Sequence, residues 1–121
     1  MKITLHTEGW YDAAHYLNNY KGKCSMMHGH TYKVEVWISG SDKLLNKAGI
    51  LWDFGNLKKL ADEFDHKDLN DIYGKINSTA ENQALFFYRS FKVDHPKLKF
   101  KVRVYEQLAP KESYAEVGSI D

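Results

Sequence analysis

One cysteine, two prolines and no long apolar run set the first limits on this chain of 121 residues. A single thiol closes no intrachain disulfide, which fits a reducing compartment and leaves Cys24 available for chemistry. With only Pro96 and Pro110, and no Gly-rich or low-complexity tract, there is no candidate linker, so residues 1–121 read as one domain. No stretch approaches the roughly 20 apolar residues of a membrane span. The start, Met1 to His6, has no secretory core, and the expectation is a cytoplasmic protein without a membrane partner. Excess charge is also lacking. Lys and Arg number 17 against 16 Asp and Glu, a net +1 that gives no reason to expect nucleic acid as a partner. What is present, 43% hydrophobic and 27% charged residues, fits a folded domain with its own core.

Periodicity orders that core. Residues 2–14 read as a strand with a break near Gly9, and residues 30–39 as a second strand. In the second, His30, Tyr32, Val34, Val36 and Ile38 share one face, and Thr31, Lys33, Glu35, Trp37 and Ser39 the other. Asp53 is placed to cap a helix carrying Phe54, Leu57, Leu60, Ala61 and Phe64 at helical spacing. Ser78-Thr79-Ala80-Glu81 has the capping-box pattern and opens a second helix, with Ala84, Phe87, Tyr88 and Phe91 as its buried stripe. Residues 98–107 alternate again, a turn at Ala109-Pro110-Lys111 follows, and Ser113–Val117 reads as the last strand. The order ββααββ predicts an α+β fold: an antiparallel four-stranded sheet with two helices on one face. Its two open edges predict a homo-oligomer joined through strand pairing.

The chemistry-bearing residues gather in Cys24-Ser25-Met26-Met27-His28-Gly29-His30. A His-x-His pair on a strand sends both imidazoles to one side, here the side that continues into the apolar face. Two unpaired buried imidazoles are costly, and a metal resolves the cost. His15, at the end of the first strand beside the small Ala13 and Ala14, is the third candidate ligand. Nitrogen donors favour zinc, with nickel and copper still open, and three ligands leave the open position of a catalytic site. His6 and His95 read as surface residues. Cys24, in a loop with Lys21 and Lys23, is open as a base, a nucleophile or a fourth ligand. Asp65-His66 is either a polar helix end or a carboxylate–imidazole couple for proton transfer. Glu106 takes the next inward position after Leu98, Phe100, Val102 and Val104, where it either emerges into solvent or lines a pocket and accepts paired N–H donors from a flat heterocycle.

In order along the chain, several segments resemble the 6-pyruvoyl-tetrahydropterin synthase superfamily. They are Tyr11-Asp12-Ala13-Ala14-His15, Cys24 through Val36, Asp53-Phe54-Gly55-Asn56-Leu57-Lys58, Asp65-His66-Lys67-Asp68-Leu69-Asn70, Thr79-Ala80-Glu81-Asn82 and Val104-Tyr105-Glu106. The Cys-x3-His-Gly-His spacing is similar to that of the bacterial 6-carboxy-5,6,7,8-tetrahydropterin synthase branch, which acts in the route to queuosine. The resemblance implies the tunnelling fold, with trimers stacked as a hexamer. It implies zinc on His15, His28 and His30, Cys24 as proton-abstracting base, and Asp65 and His66 as a relay that serves a neighbour's Cys24. It further implies Glu106 as the pterin anchor, which also joins the relay, and a pterin triphosphate as substrate. Two positions depart from the pattern: Gln107 stands where threonine is usual, and Ser78 where proline is usual. Pyruvoyl-forming chemistry, a zinc hydrolase with Glu106 as base, and a catalytically silent pterin-binding module are the competing readings.

Overall fold

The computed structural model describes all residues, Met1–Asp121. Alternating apolar and polar residues build two long strands, β1 (Lys2–His15) and β2 (His28–Ser41), which pair antiparallel along their whole length, from Lys2 opposite Ser41 to His15 opposite His28. The expected break near Gly9 is absent. Gly9 sits opposite Val34 in unbroken register, and a Cβ there would meet Leu57 at ordinary contact distance. The second strand also starts two residues earlier than the alternation indicates, because His28 pairs with His15.

Helix α1 (Gly55–Phe64) follows, then β3 (Lys67–Asp68), α2 (Leu69–Tyr73), α3 (Ala80–Asp94), β4 (Lys99–Gln107) and β5 (Ser113–Gly118). The sheet order is β3-β1-β2-β4-β5. It is a mixed five-stranded sheet with three helices, a correction to the expected four antiparallel strands and two helices. The additions are short: β3 pairs parallel with β1 only at Ala13 and Ala14, and α2 spans a single turn and a half. Neither is long enough to show a period in sequence.

One face of the sheet buries Tyr11, Tyr32, Val34, Val36, Ile38, Phe100, Val102 and Val104 against Leu57, Ala61 and Phe64 of α1 and Ala84, Phe87 and Phe91 of α3. Tyr88 of the expected stripe is partly buried at its margin. The caps differ from expectation by one residue each. Asp53 accepts from the Gly55 amide at 2.8 Å, but the residue that enters α1 is Phe54. Thr79, not Ser78, caps α3, accepting from the Asn82 amide at 3.2 Å. His6 is exposed yet contacts Glu35 at 2.8 Å, and His95 is half-buried against Trp52 and Phe100, so neither is a bare surface residue. No helix is long and apolar enough to cross a membrane.

Candidate metal centre and active site

Antiparallel pairing brings the three histidines together. Partners across a ladder share a face, so His15 opposite His28 and Ala13 opposite His30 put all three rings on the helix-covered side. Ring centroids lie 4.5 Å (His15–His28), 4.8 Å (His28–His30) and 5.4 Å (His15–His30) apart. Glu106 joins them from β4, its Oε1 3.1 Å from His30 Nε2 and 3.8 Å from His15 Nε2. One donor atom from each of the four falls within 4.8 Å of the others.

The other ring nitrogens show which way each imidazole is presented. His15 Nδ1 lies 3.0 Å from the Ser78 carbonyl, and His28 Nδ1 lies 2.7 Å from the Met26 carbonyl. A carbonyl only accepts, so both Nδ1 atoms carry the hydrogen and both Nε2 atoms present a bare lone pair. Nε2 of His28 and of His30 is buried without a hydrogen-bond partner; the 3.1 Å approach of Glu106 to His30 lacks hydrogen-bond alignment. Orphaned ring nitrogens facing one another beside a carboxylate are costly without a shared partner. Nitrogen donors plus one carboxylate suit a divalent cation of the zinc type, so the residues present fit the metal.

Electrostatics agree with that geometry. Burial pushes the His15 pKa below the ordinary imidazole value, although its bond to Ser78 opposes the shift, and His28 and His30 push it lower still. The neutral ring is the ligand form. The Glu106 carboxyl is held below the usual range, first by the adjacent His30, against the opposing effect of burial. Burial raises the Tyr32 phenol well above its ordinary value, with Glu106 and Cys24 adding to the rise.

Cys24 stands outside the four-residue group. It is half-buried in a 3-10 turn, Lys23–Ser25, whose entry at Gly22 has φ 141°, a conformation that requires glycine. The Leu17 amide donates to the Cys24 carbonyl at 2.7 Å and ties this turn to the end of β1. Two asparagines brace the same segment. Asn70 accepts from the Tyr16 amide at 2.8 Å and donates to its carbonyl at 3.0 Å, and Asn77 does the same for Asn18 at 2.8 and 2.7 Å. Of the cationic residues near Cys24, Lys21 and Lys23 are exposed. Lys33 is engaged on the opposite sheet face with Glu8 at 3.4 Å and Glu35 at 3.6 Å.

Asp65 and His66 do pair: His66 Nδ1 is 3.1 Å from Asp65 Oδ2. Asp65 Oδ1 accepts from the Asp12 amide at 2.9 Å, the main cause of its lowered pKa, and the His66 amide donates to the Asp12 carbonyl at 2.6 Å. His66 takes a positive φ of 58° and its ring is 79% exposed. The Asp12 carboxylate completes this second group. Within one chain the pair sits at the β1 edge and does not join the three imidazoles. An open groove of about 620 Å³ lies beside the pair, lined by Asp12, Gly29, His30, Thr31 and His66 among others.

Sequence reasoning missed Asp12, Gln83 and the true role of Ser78. Gln83 carries a readable signal, since it is a polar residue one position before Ala84 in an apolar helical stripe, and it is fully buried. Gln107, the other departure, is exposed, and its side chain donates to the Ala109 carbonyl at 3.0 Å in the β4–β5 turn.

Known proteins share this arrangement of elements. The family model described as 6-pyruvoyl tetrahydropterin synthase matches residues 4–117. A Haemophilus influenzae protein named 6-carboxy-5,6,7,8-tetrahydropterin synthase is 32% identical over 122 aligned positions, covering 79% of this chain and 86% of the relative. A Pyrococcus furiosus protein named dihydroneopterin monophosphate aldolase is 34% identical over 100 positions, covering 79% and 81%. The structure of Caenorhabditis elegans 6-pyruvoyl tetrahydropterin synthase superposes with a TM-score of 0.75 at 25% identity, over 98% of this chain and 96% of that one. Against two other archaeal relatives the chain spans 35% of their length. With the family match running from the fourth residue to the last strand, the chain belongs to the 6-pyruvoyl tetrahydropterin synthase family.

Proposed function

We propose that this chain is a zinc-dependent 6-carboxy-5,6,7,8-tetrahydropterin synthase of the queuosine route. Its reaction converts 7,8-dihydroneopterin triphosphate to 6-carboxytetrahydropterin, acetaldehyde and triphosphate. The observation that carries this reading is the convergence of three imidazoles, two of whose Nε2 atoms are buried without hydrogen-bond partners, beside an inward carboxylate. The Haemophilus influenzae relative and the Cys-x3-His-Gly-His spacing support the carboxy-forming branch.

His15, His28 and His30 would hold the cation, and when bound it supplies Lewis acidity toward substrate oxygens. The remaining chemistry falls to the chain's own groups. Cys24 Sγ, as thiolate, takes a carbon-bound proton beside the pterin ring. Asp65 orients His66 through Nδ1, leaving Nε2 to exchange protons with substrate. Glu106, kept ionised, accepts the N–H donors of the pterin edge. Because Asp65 and His66 sit at the β1 edge, they serve the Cys24 of an adjoining copy in this reading. β1 offers Lys2–Asp12 and β5 its outer side for strand pairing between copies, and we infer a hexamer of two trimers.

A second reading is favoured by the Pyrococcus furiosus relative, whose name specifies aldol cleavage of a dihydroneopterin monophosphate. The zinc-loaded protein, incubated separately with 7,8-dihydroneopterin triphosphate and monophosphate and read by mass, separates the possibilities. The expected result is 6-carboxytetrahydropterin with acetaldehyde from the triphosphate. A pyruvoyl product would move the chain to simple triphosphate elimination. Turnover confined to the monophosphate would move it to the aldolase.

A further inference from the structure

The geometry points to Ser78 and Gln83 as positioning residues that hold His15 in its metal-binding tautomer. For its consequence in metal affinity, this rests on the cation reading above. Ser78 is completely buried, and it meets His15 Nδ1 twice, through its carbonyl at 3.0 Å and its hydroxyl at 3.0 Å. The carbonyl has two lone pairs. Gln83 Nε2 donates to the same oxygen at 2.8 Å, so that carbonyl is held by α3 on one side while it receives His15 on the other. Gln83 is itself completely buried, and its Oε1 accepts from the Tyr11 hydroxyl. The Tyr32 hydroxyl lies nearly equidistant from the two ring nitrogens of His15, 3.2 Å from Nε2 and 3.4 Å from Nδ1, and so does not itself choose between the tautomers.

These contacts select one protonation pattern. A neutral histidine side chain in water prefers hydrogen on Nε2, which would block ligation by that atom. The two acceptors that Ser78 places at Nδ1 favour the opposite tautomer. Outer partners of this kind orient a ligand and fix its proton. His28 obtains only one such contact, from Met26. The serine hydroxyl is a feature of this chain: where proline is usual in the resembled family, no second acceptor exists at that place.

The test uses the full-length chain labelled with 15N-histidine. Long-range proton–nitrogen NMR of the metal-free protein reads the His15 tautomer, and competition with a chromophoric chelator reads zinc affinity. The wild type is expected to show hydrogen on Nδ1 alone. Ser78→Ala and Gln83→Met should each introduce the other tautomer and weaken zinc about tenfold, while Ser78→Thr, which keeps the hydroxyl, should return both readouts toward wild type. Backbone spectra establish that each variant is folded. If folded Ser78→Ala and Gln83→Met lose only unfolding midpoint, with tautomer and affinity as in wild type, the residues merely anchor α3 and the inference is overturned. Hydrogen on Nε2 in the wild type also overturns it. A wild type with hydrogen on Nδ1 that binds no zinc would uphold the positioning role and instead overturn the metal reading.

Discussion

His28 and His30 were legible as a pair because strand alternation is local: two residues apart means the same face. His15, already the third candidate in the sequence, joins them through the pairing register, which places it opposite His28. Cys24 follows a different rule. Its place depends on Gly22, on the carbonyl bond from Leu17 and on the bracing asparagines, none of which a sequence pattern displays. As it lies outside the ligand group, Cys24→Ala should retain wild-type zinc while turnover falls by about 10²–10⁴-fold, the usual worth of a positioned acid–base group. Metal analysis beside steady-state kinetics checks both halves, and wild-type rates would remove Cys24 from the mechanism. Ser78 shows the limit of local reading. Its position next to a helix start matches a capping box, yet Thr79 caps the helix and Ser78 turns to a residue 63 positions away.

At the scale of elements, the long amphipathic pieces were readable and the short ones were not. β1, β2, β4, α1 and α3 each hold enough residues to repeat a period. β3 and α2 are set by tertiary contacts, with Leu69 buried in the core and β3 pairing at two positions only. What α2 and the segment after it contribute is a substitute for strand pairing. The side-chain amides of Asn70 and Asn77 satisfy both backbone groups of Tyr16 and Asn18, where β1 has ended and no strand continues. Asn70→Ala removes two of those bonds and leaves the Tyr16 amide and carbonyl without their partner. Chemical denaturation should show a loss of about 1–3 kcal/mol. An unchanged midpoint would mean that solvent replaces the asparagine without cost.

Across the whole molecule, the sheet separates two kinds of chemistry. The imidazole cluster and Glu106 lie under the helices, and the Asp65–His66 pair lies at the β1 edge, where His66 lines an open groove. A near-neutral chain with long unpaired edges on β1 and β5 is suited to bring copies edge to edge, which in the proposed hexamer completes each site. The open edges were legible in the strand order and a site shared between copies was implied by the family resemblance, but the separation of the Asp65–His66 pair from the cluster within one chain appears only once β1 and β3 are paired. Every step still depends on whether the three rings hold a cation. Zinc content of the purified chain, saturated and then freed of loosely bound ion, decides it: stoichiometric zinc is expected in the wild type and less than about a tenth of it in His28→Ala and His30→Ala. Full occupancy in those variants, or none in the wild type, would contradict it.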